Sequence, residues 1–160
     1  MGKRALLIGV VGSGSCSAEE AGMAEEIGRR LARAGAVLGC GGLGGVMEAA
    51  CRGAVEEGGL TVGILPGHDA GSANRYVVVP VATGLGEVRN VIIVRTVRAV
   101  IAVGGEYGTL SEIAFALKLG VPVVGLGTWR LYRVGLEGDP IVRAEGPADA
   151  VEKAISLARR

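Results

Sequence analysis

The stretch Val103-Gly-Gly-Glu-Tyr-Gly-Thr-Leu-Ser-Glu112 holds the residue types best suited to binding chemistry in this chain. Gly104, Gly105 and Gly108 permit backbone angles that side chains forbid, and let another molecule approach the main chain closely. Thr109 and Glu112 have the spacing of a helix capping box. A glycine turn that opens onto a helix start makes an anion site, because free N–H groups and the positive end of the helix dipole meet there. The plainer reading is that strand-to-helix turns need glycines in any case, and that Glu112 only completes a cap.

Two more loops share this character, Gly12-Ser-Gly-Ser-Cys16 and Gly39-Cys-Gly-Gly-Leu-Gly-Gly45. In loops of this kind backbone N–H groups do the binding, so no lysine-rich motif is required. The first loop lacks the third glycine of the dinucleotide fingerprint, and no Gly-Lys-Ser/Thr follows any of the glycines, which excludes a Walker A site. Three cysteines, Cys16, Cys40 and Cys51, show no metal-ligand spacing, so no metal site is expected. They read as packing residues in a reducing, cytoplasmic setting. His68, the only histidine, falls in a polar loop and reads as solvated.

The elements that must position these loops follow from the hydrophobic pattern. Ala5–Val11 is a continuous apolar run, as expected of a strand buried on both faces of a parallel sheet. Ser17 and Glu20 form a second capping-box pair, opening a helix to about Ala34. Strands follow at 36–39, 60–65, 76–79, 99–103 and 121–125, with a short edge strand at 141–142. Helices run from about Gly45 to Glu57, over Glu87–Thr96, from Thr109 to Leu119, and over 148–159. Glu87–Thr96 is rich in β-branched residues. It is read as a helix because the parallel strands on either side need a crossover. Val88, Val91, Ile92, Ile93 and Val94 are too many for one apolar stripe, so the helix is either buried on two sides or sits in a subunit interface, and the second reading predicts a homodimer or homotetramer. The fold class is α/β: one Rossmann-like domain over residues 1–160, with a mainly parallel sheet of about six to seven strands and helices on both faces. The ligand site belongs at the carboxyl ends of the strands.

Composition sets the limits. The chain has 160 residues with 49% apolar and 21% charged, enough for one packed core. A net charge of +1 gives no electrostatic case for nucleic acid. Its apolar runs are far too short for a membrane span. Met1–Arg4 puts basic residues before apolar ones, yet the run breaks at Gly12 and reads as a strand, not a signal peptide. Gly2 lacks the downstream Ser or Thr of a myristoylation site, because position 6 is Leu.

The Gly105–Glu112 segment resembles the PGGxGTxxE motif of the "Lonely guy" cytokinin-activating family, and Cys40–Met47 resembles that family's GGGxxGLM loop. Arg89 falls where the family has an Arg-Lys pair. The chain is more similar still to a sister branch, the DprA/Smf-related family 1 proteins, which carry a GGxGGVMEA loop and include molybdenum-cofactor carriers. The resemblance runs from Leu6 to Gly125. Departures from the cytokinin-type pattern are Gly104 for proline, Glu106 for glycine, Asn90 for lysine and Glu48 for glycine. They make the pocket more acidic.

The loops and the resemblance together mark a site. It comprises Gly12 and Ser13; Gly41, Gly42, Gly44, Gly45 and Met47; and Gly104, Gly105, Tyr107, Gly108 and Thr109. The resemblance implies a binding or carrier protein for a phosphorylated nucleotide, or for a pterin-type ligand such as the molybdenum cofactor. No further cofactor is required. It also implies an alternative, a phosphoribohydrolase that cleaves the N-glycosidic bond of nucleoside 5′-monophosphates with Arg89 and Glu112 as its catalytic pair. Arg89 after the fourth strand and Glu112 after the fifth are expected to meet because those strands would be neighbours.

Overall fold

The computed structural model describes residues 4–160. Met1, Gly2 and Lys3, on which the signal-peptide and myristoylation readings rest, lie outside the described residues. The chain alternates β1 (Leu7–Gly12), α1 (Ala18–Arg33), β2 (Val37–Cys40), α2 (Val46–Glu56), β3 (Thr61–Leu65) and β4 (Val79–Ala82). It continues with α3 (Arg89–Thr96), β5 (Ala99–Val103), α4 (Tyr107–Lys118), β6 (Val123–Leu126), β7 (Val142–Arg143) and α5 (Pro147–Ala158). One 7-stranded sheet runs in the order β4-β3-β2-β1-β5-β6-β7, and every pairing is parallel. This is the Rossmann-like α/β architecture read from the sequence.

Alternation along the central strands splits the core in two. Ile8, Val10, Leu38, Ile101 and Val103 pack against α1, α2 and α5 on one face. Val11, Val100, Ala102 and Val123 pack against Val94 of α3 and Ile113 and Ala116 of α4 on the other. The Ser17–Glu20 capping box forms as read: Glu20 N–H donates to Ser17 Oγ at 3.1 Å and Ser17 N–H to Glu20 Oε2 at 2.8 Å.

The structure differs from the sequence reading in three places. The fourth strand begins at Val79, not Tyr76. The buried Thr61 hydroxyl donates to the Tyr76 carbonyl and accepts from Val78 N–H, so a side chain takes the peptide groups that a ladder would need. Strand β4 carries Pro80 at the sheet edge, where a missing N–H is tolerated.

Helix α4 starts at Tyr107, ahead of Thr109, and Thr109 and Glu112 make no capping box. Gly104 and Gly105 have φ of 52° and 93°, so the chain turns at once and the helix begins early. Gly108 has no left-handed angle; it is an ordinary residue of the first helical turn.

Finally, β4 and β5 are not neighbours. Strands β3, β2 and β1 separate them, and α3 crosses back over these strands to reach β5. The crossover, rather than strand adjacency, brings Arg89 toward α4.

Candidate functional site

The strand order reverses between β1 and β5, where connections leave in opposite directions and a crevice opens at the carboxyl ends. A cavity of about 190 Å³ lies there. Its walls come from the loop after β1 (Gly12, Ser13, Gly14), from Gly41 and Met47 beyond β2, and from Arg89 and Asn90 at the start of α3. Glu106, Gly108, Thr109 and Glu112 of the α4 segment close it. The three glycine loops therefore converge on one cleft.

Gly42, Gly44, Gly45, Gly104, Gly105 and Tyr107 do not line this cavity. Several of these shape it from behind. Gly45 has φ of 63°, and a Cβ there would stand 2.2 Å from the Ser13 carbonyl, which the next N–H, that of Val46, reaches at 3.0 Å. The first and second loops are locked together at this point. Gly104 lies under the Glu20 carboxylate, and Gly105 lies against the Thr109 side chain. Five lining residues escape the sequence reading of the site: Val10 and Val11 at the end of β1, Gly14, Asn90 and Glu106. Gly14 sits in a loop already marked, whereas Asn90 and Glu106 stood out only as departures from a family pattern.

Arg89 is the central charge. It is 8% exposed, yet its Nε has no hydrogen-bond partner. One Nη donates to the Asn90 side-chain oxygen, and the other reaches the Gly41 carbonyl at a long 3.4 Å. A Cβ on Gly41 would stand 2.8 Å from that Nη, so glycine is what lets the guanidinium lie across the loop. Burial lowers the Arg89 pKa and the Glu112 carboxylate raises it, but a guanidinium stays charged at any working pH. This is a buried cation whose donors are only partly used, a costly arrangement unless something anionic completes it.

Glu112 is 7% exposed and makes no ion pair with Arg89. Burial pushes its pKa up to about 7, and Arg89 pulls it only partly back. The raised pKa means that the fold favours the protonated acid. That stabilisation is complete below the unfolded value of 4.5 and is lost as pH rises to about 7. The shift is worth on the order of 3 kcal/mol. Thermal stability is therefore expected to fall between pH 5 and pH 8, and Glu112→Gln should flatten that fall. Equal pH slopes for the two proteins in a melting series would contradict the assignment.

The Cys40 and Cys51 thiols are buried 3.5 Å apart in the core, and Cys16 is half-buried. Burial and the nearby Glu20 raise the Cys16 pKa, which leaves it a poor nucleophile. His68 is exposed, with its ring against Gly84, away from the cavity. Among the described residues no cluster of three or more His, Cys, Asp or Glu could hold a metal, and no helix is long and apolar enough to cross a membrane. A larger groove of about 1050 Å³ lies at the opposite edge, lined by Arg4, Arg95, Arg98, Arg159 and Arg160. Helices α1, α3, α4 and α5 end there, and arginines at helix carboxyl ends offset their dipoles.

Residues 5–151 match the model of the SLOG cluster4 family. The chain belongs to the SLOG cluster4 family. A protein of Archaeoglobus fulgidus is 46% identical over 149 residues, which covers 93% of this chain and 94% of that one. The molybdenum cofactor binding protein of Rippkaea orientalis superimposes with a TM-score of 0.88 at 35% identity, over 98% of this chain and 99% of its own. The molybdenum cofactor carrier protein of Chlamydomonas reinhardtii gives the same TM-score and identity, over 98% of this chain and 100% of its own. These relatives agree with the resemblance read from the glycine loops. The SLOG cluster4 chain thus shares its fold with the two molybdenum cofactor proteins over almost the whole length of each.

Proposed function

We propose that this protein binds a phosphorylated small molecule in the cleft, as a binding or carrier protein for a nucleotide or a pterin-type ligand such as the molybdenum cofactor. The observation that carries the reading is the buried Arg89 with its unpartnered Nε, set in a wall of glycine backbone. A phosphate oxygen supplies the acceptor that this donor lacks. Main-chain N–H groups of the first turn of α4 and the positive end of its dipole favour the same charge. The likeness to molybdenum cofactor carriers supports a carried ligand. The unpaired Cys16, Cys40 and Cys51 support a cytoplasmic setting.

Glu112 adds a pH signature. A phosphate beside it favours the protonated acid, so phosphate binding should weaken as pH rises through about 7. The juxtaposition of Arg89 and Glu112 in one cavity also favours a second reading, phosphoribohydrolase activity on nucleoside 5′-monophosphates. There Arg89 would hold the phosphate. The Glu112 carboxylate would orient water and stabilise the oxocarbenium-like state as the N-glycosidic bond breaks. Turnover would then rise with pH through the same range. Incubation with AMP separates the two: intact AMP is expected for a carrier, and free adenine on chromatography would establish the hydrolase.

The assembly we propose is a homodimer or homotetramer built on α3 and the β4 edge. Val88, just before α3, is 69% exposed, and Val78, Val79 and Val81 at β4 and Leu85 after it are exposed as well. Ile93 is 1% exposed and belongs to the core, so Ile92 is the outward residue. Ile92→Asp is expected to reduce the mass in light scattering to that of one chain. A wild-type protein that is already monomeric at micromolar concentration would overturn the assembly.

A further inference from the structure

We propose that Tyr107 and Trp129 form an aromatic shelf at the rim of the cleft, on which the flat nitrogen heterocycle of the phosphorylated ligand stacks. The inference rests on the phosphate reading above and specifies the rest of the ligand. A cavity of about 190 Å³ takes a phosphate and part of a sugar. Sites that enclose a whole ligand typically span about 300–1,000 Å³. The rest of a nucleotide or pterin must therefore lie beyond the rim.

The rim at α4 is aromatic. Glu106 and Gly108 line the cavity, and Tyr107 stands between them in the chain, 79% exposed. Its ring centroid lies 5.6 Å from that of Trp129, with the planes 41° apart. So exposed a tyrosine contributes little to the core. The chain has one Trp, three Tyr and one Phe, so a pair beside the cleft is a notable concentration.

The pair is held in place. Trp129 Nε1 donates to the Glu106 carbonyl at 3.2 Å, tying the indole to the ligand loop. Thr128 Oγ1 donates to the Gly104 carbonyl at 2.5 Å, and Gly104 N–H donates to the Leu126 carbonyl at 3.0 Å. Arg143 donates to the Trp129 carbonyl and pairs with Asp139. The segment after β6 is thus strapped along the loop after β5, and the shelf needs no reordering to accept a ring. Stacking on an aromatic face tolerates any flat heterocycle, because each presents a π surface. Purines and pterins both qualify, and guanine and pterin share the same amino-oxo pyrimidine ring.

Trp129 is the only tryptophan, so its emission reports on the shelf directly. AMP and GMP should quench it and bind roughly tenfold or more tighter than ribose 5-phosphate, the gain expected of one stacked base. Tyr107→Ala should bring AMP and GMP down to the affinity of ribose 5-phosphate. Tyr107→Phe should keep the preference. Equal affinity of AMP and ribose 5-phosphate in the wild type, or a preference that survives in Tyr107→Ala, overturns the shelf alone. Failure of all three probes to bind overturns the shelf and the phosphate reading together.

Discussion

Arg89→Ala is expected to weaken binding of a phosphorylated ligand by about a hundredfold or more. Truncating one partner of a buried, hydrogen-bonded charge pair costs roughly 2–5 kcal/mol, and among the described residues the guanidinium is the one basic side chain in the cavity wall. Arg89→Lys should recover only part of the loss, because an ammonium cannot reproduce the planar fork across Gly41. The substitution also leaves Glu112 without its only favourable charge, so the glutamate pKa should climb further. Calorimetric titration with AMP checks the loss, and an unchanged affinity would move the phosphate site elsewhere.

The second large effect concerns stability. Gly53→Val should destabilise the protein by about 3 kcal/mol or more. A Cβ at Gly53 would stand 1.9 Å from the Glu25 carbonyl, and one at Gly28 2.0 Å from the Ala50 carbonyl. Helices α1 and α2 therefore cross with backbone against backbone, and neither can yield by moving a side chain. Overpacking of a tight core usually costs about 1–3 kcal/mol. Here the intruding atoms meet main chain, so the helices must separate and open the core around Ala24, Ala50 and Ala54. Thermal or urea unfolding measures the effect. A Gly53→Val protein as stable as wild type would show that the crossing is looser than it stands here.

Much of this arrangement was legible in the residues. The βα alternation, the buried parallel strands and the Ser17–Glu20 cap follow from local pattern, because each is decided within one or two turns of chain. The convergence of Gly12, Gly41 and Gly108 on one crevice follows from the rule that parallel strands present their carboxyl ends together.

What was not legible is non-local. Nothing near Arg89 shows that α3 crosses back over three strands, so the sequence makes β4 and β5 neighbours, which they are not, although Arg89 and Glu112 do line one cavity. Thr109 and Glu112 match a capping box by spacing, yet Gly104 and Gly105 turn the chain early and place both residues inside the helix. A motif marks Tyr107, but its partner Trp129 lies after β6, in a segment with no pattern of its own.

The most direct test of the phosphate-binding cleft is native mass spectrometry after loading. Wild-type and Arg89→Ala proteins would be incubated with AMP, GMP and molybdenum cofactor, passed through gel filtration and weighed intact. The wild type is expected to retain one phosphorylated ligand per chain, and Arg89→Ala to emerge empty. A wild type that retains none of them, or an Arg89→Ala protein that retains as much, would contradict the account.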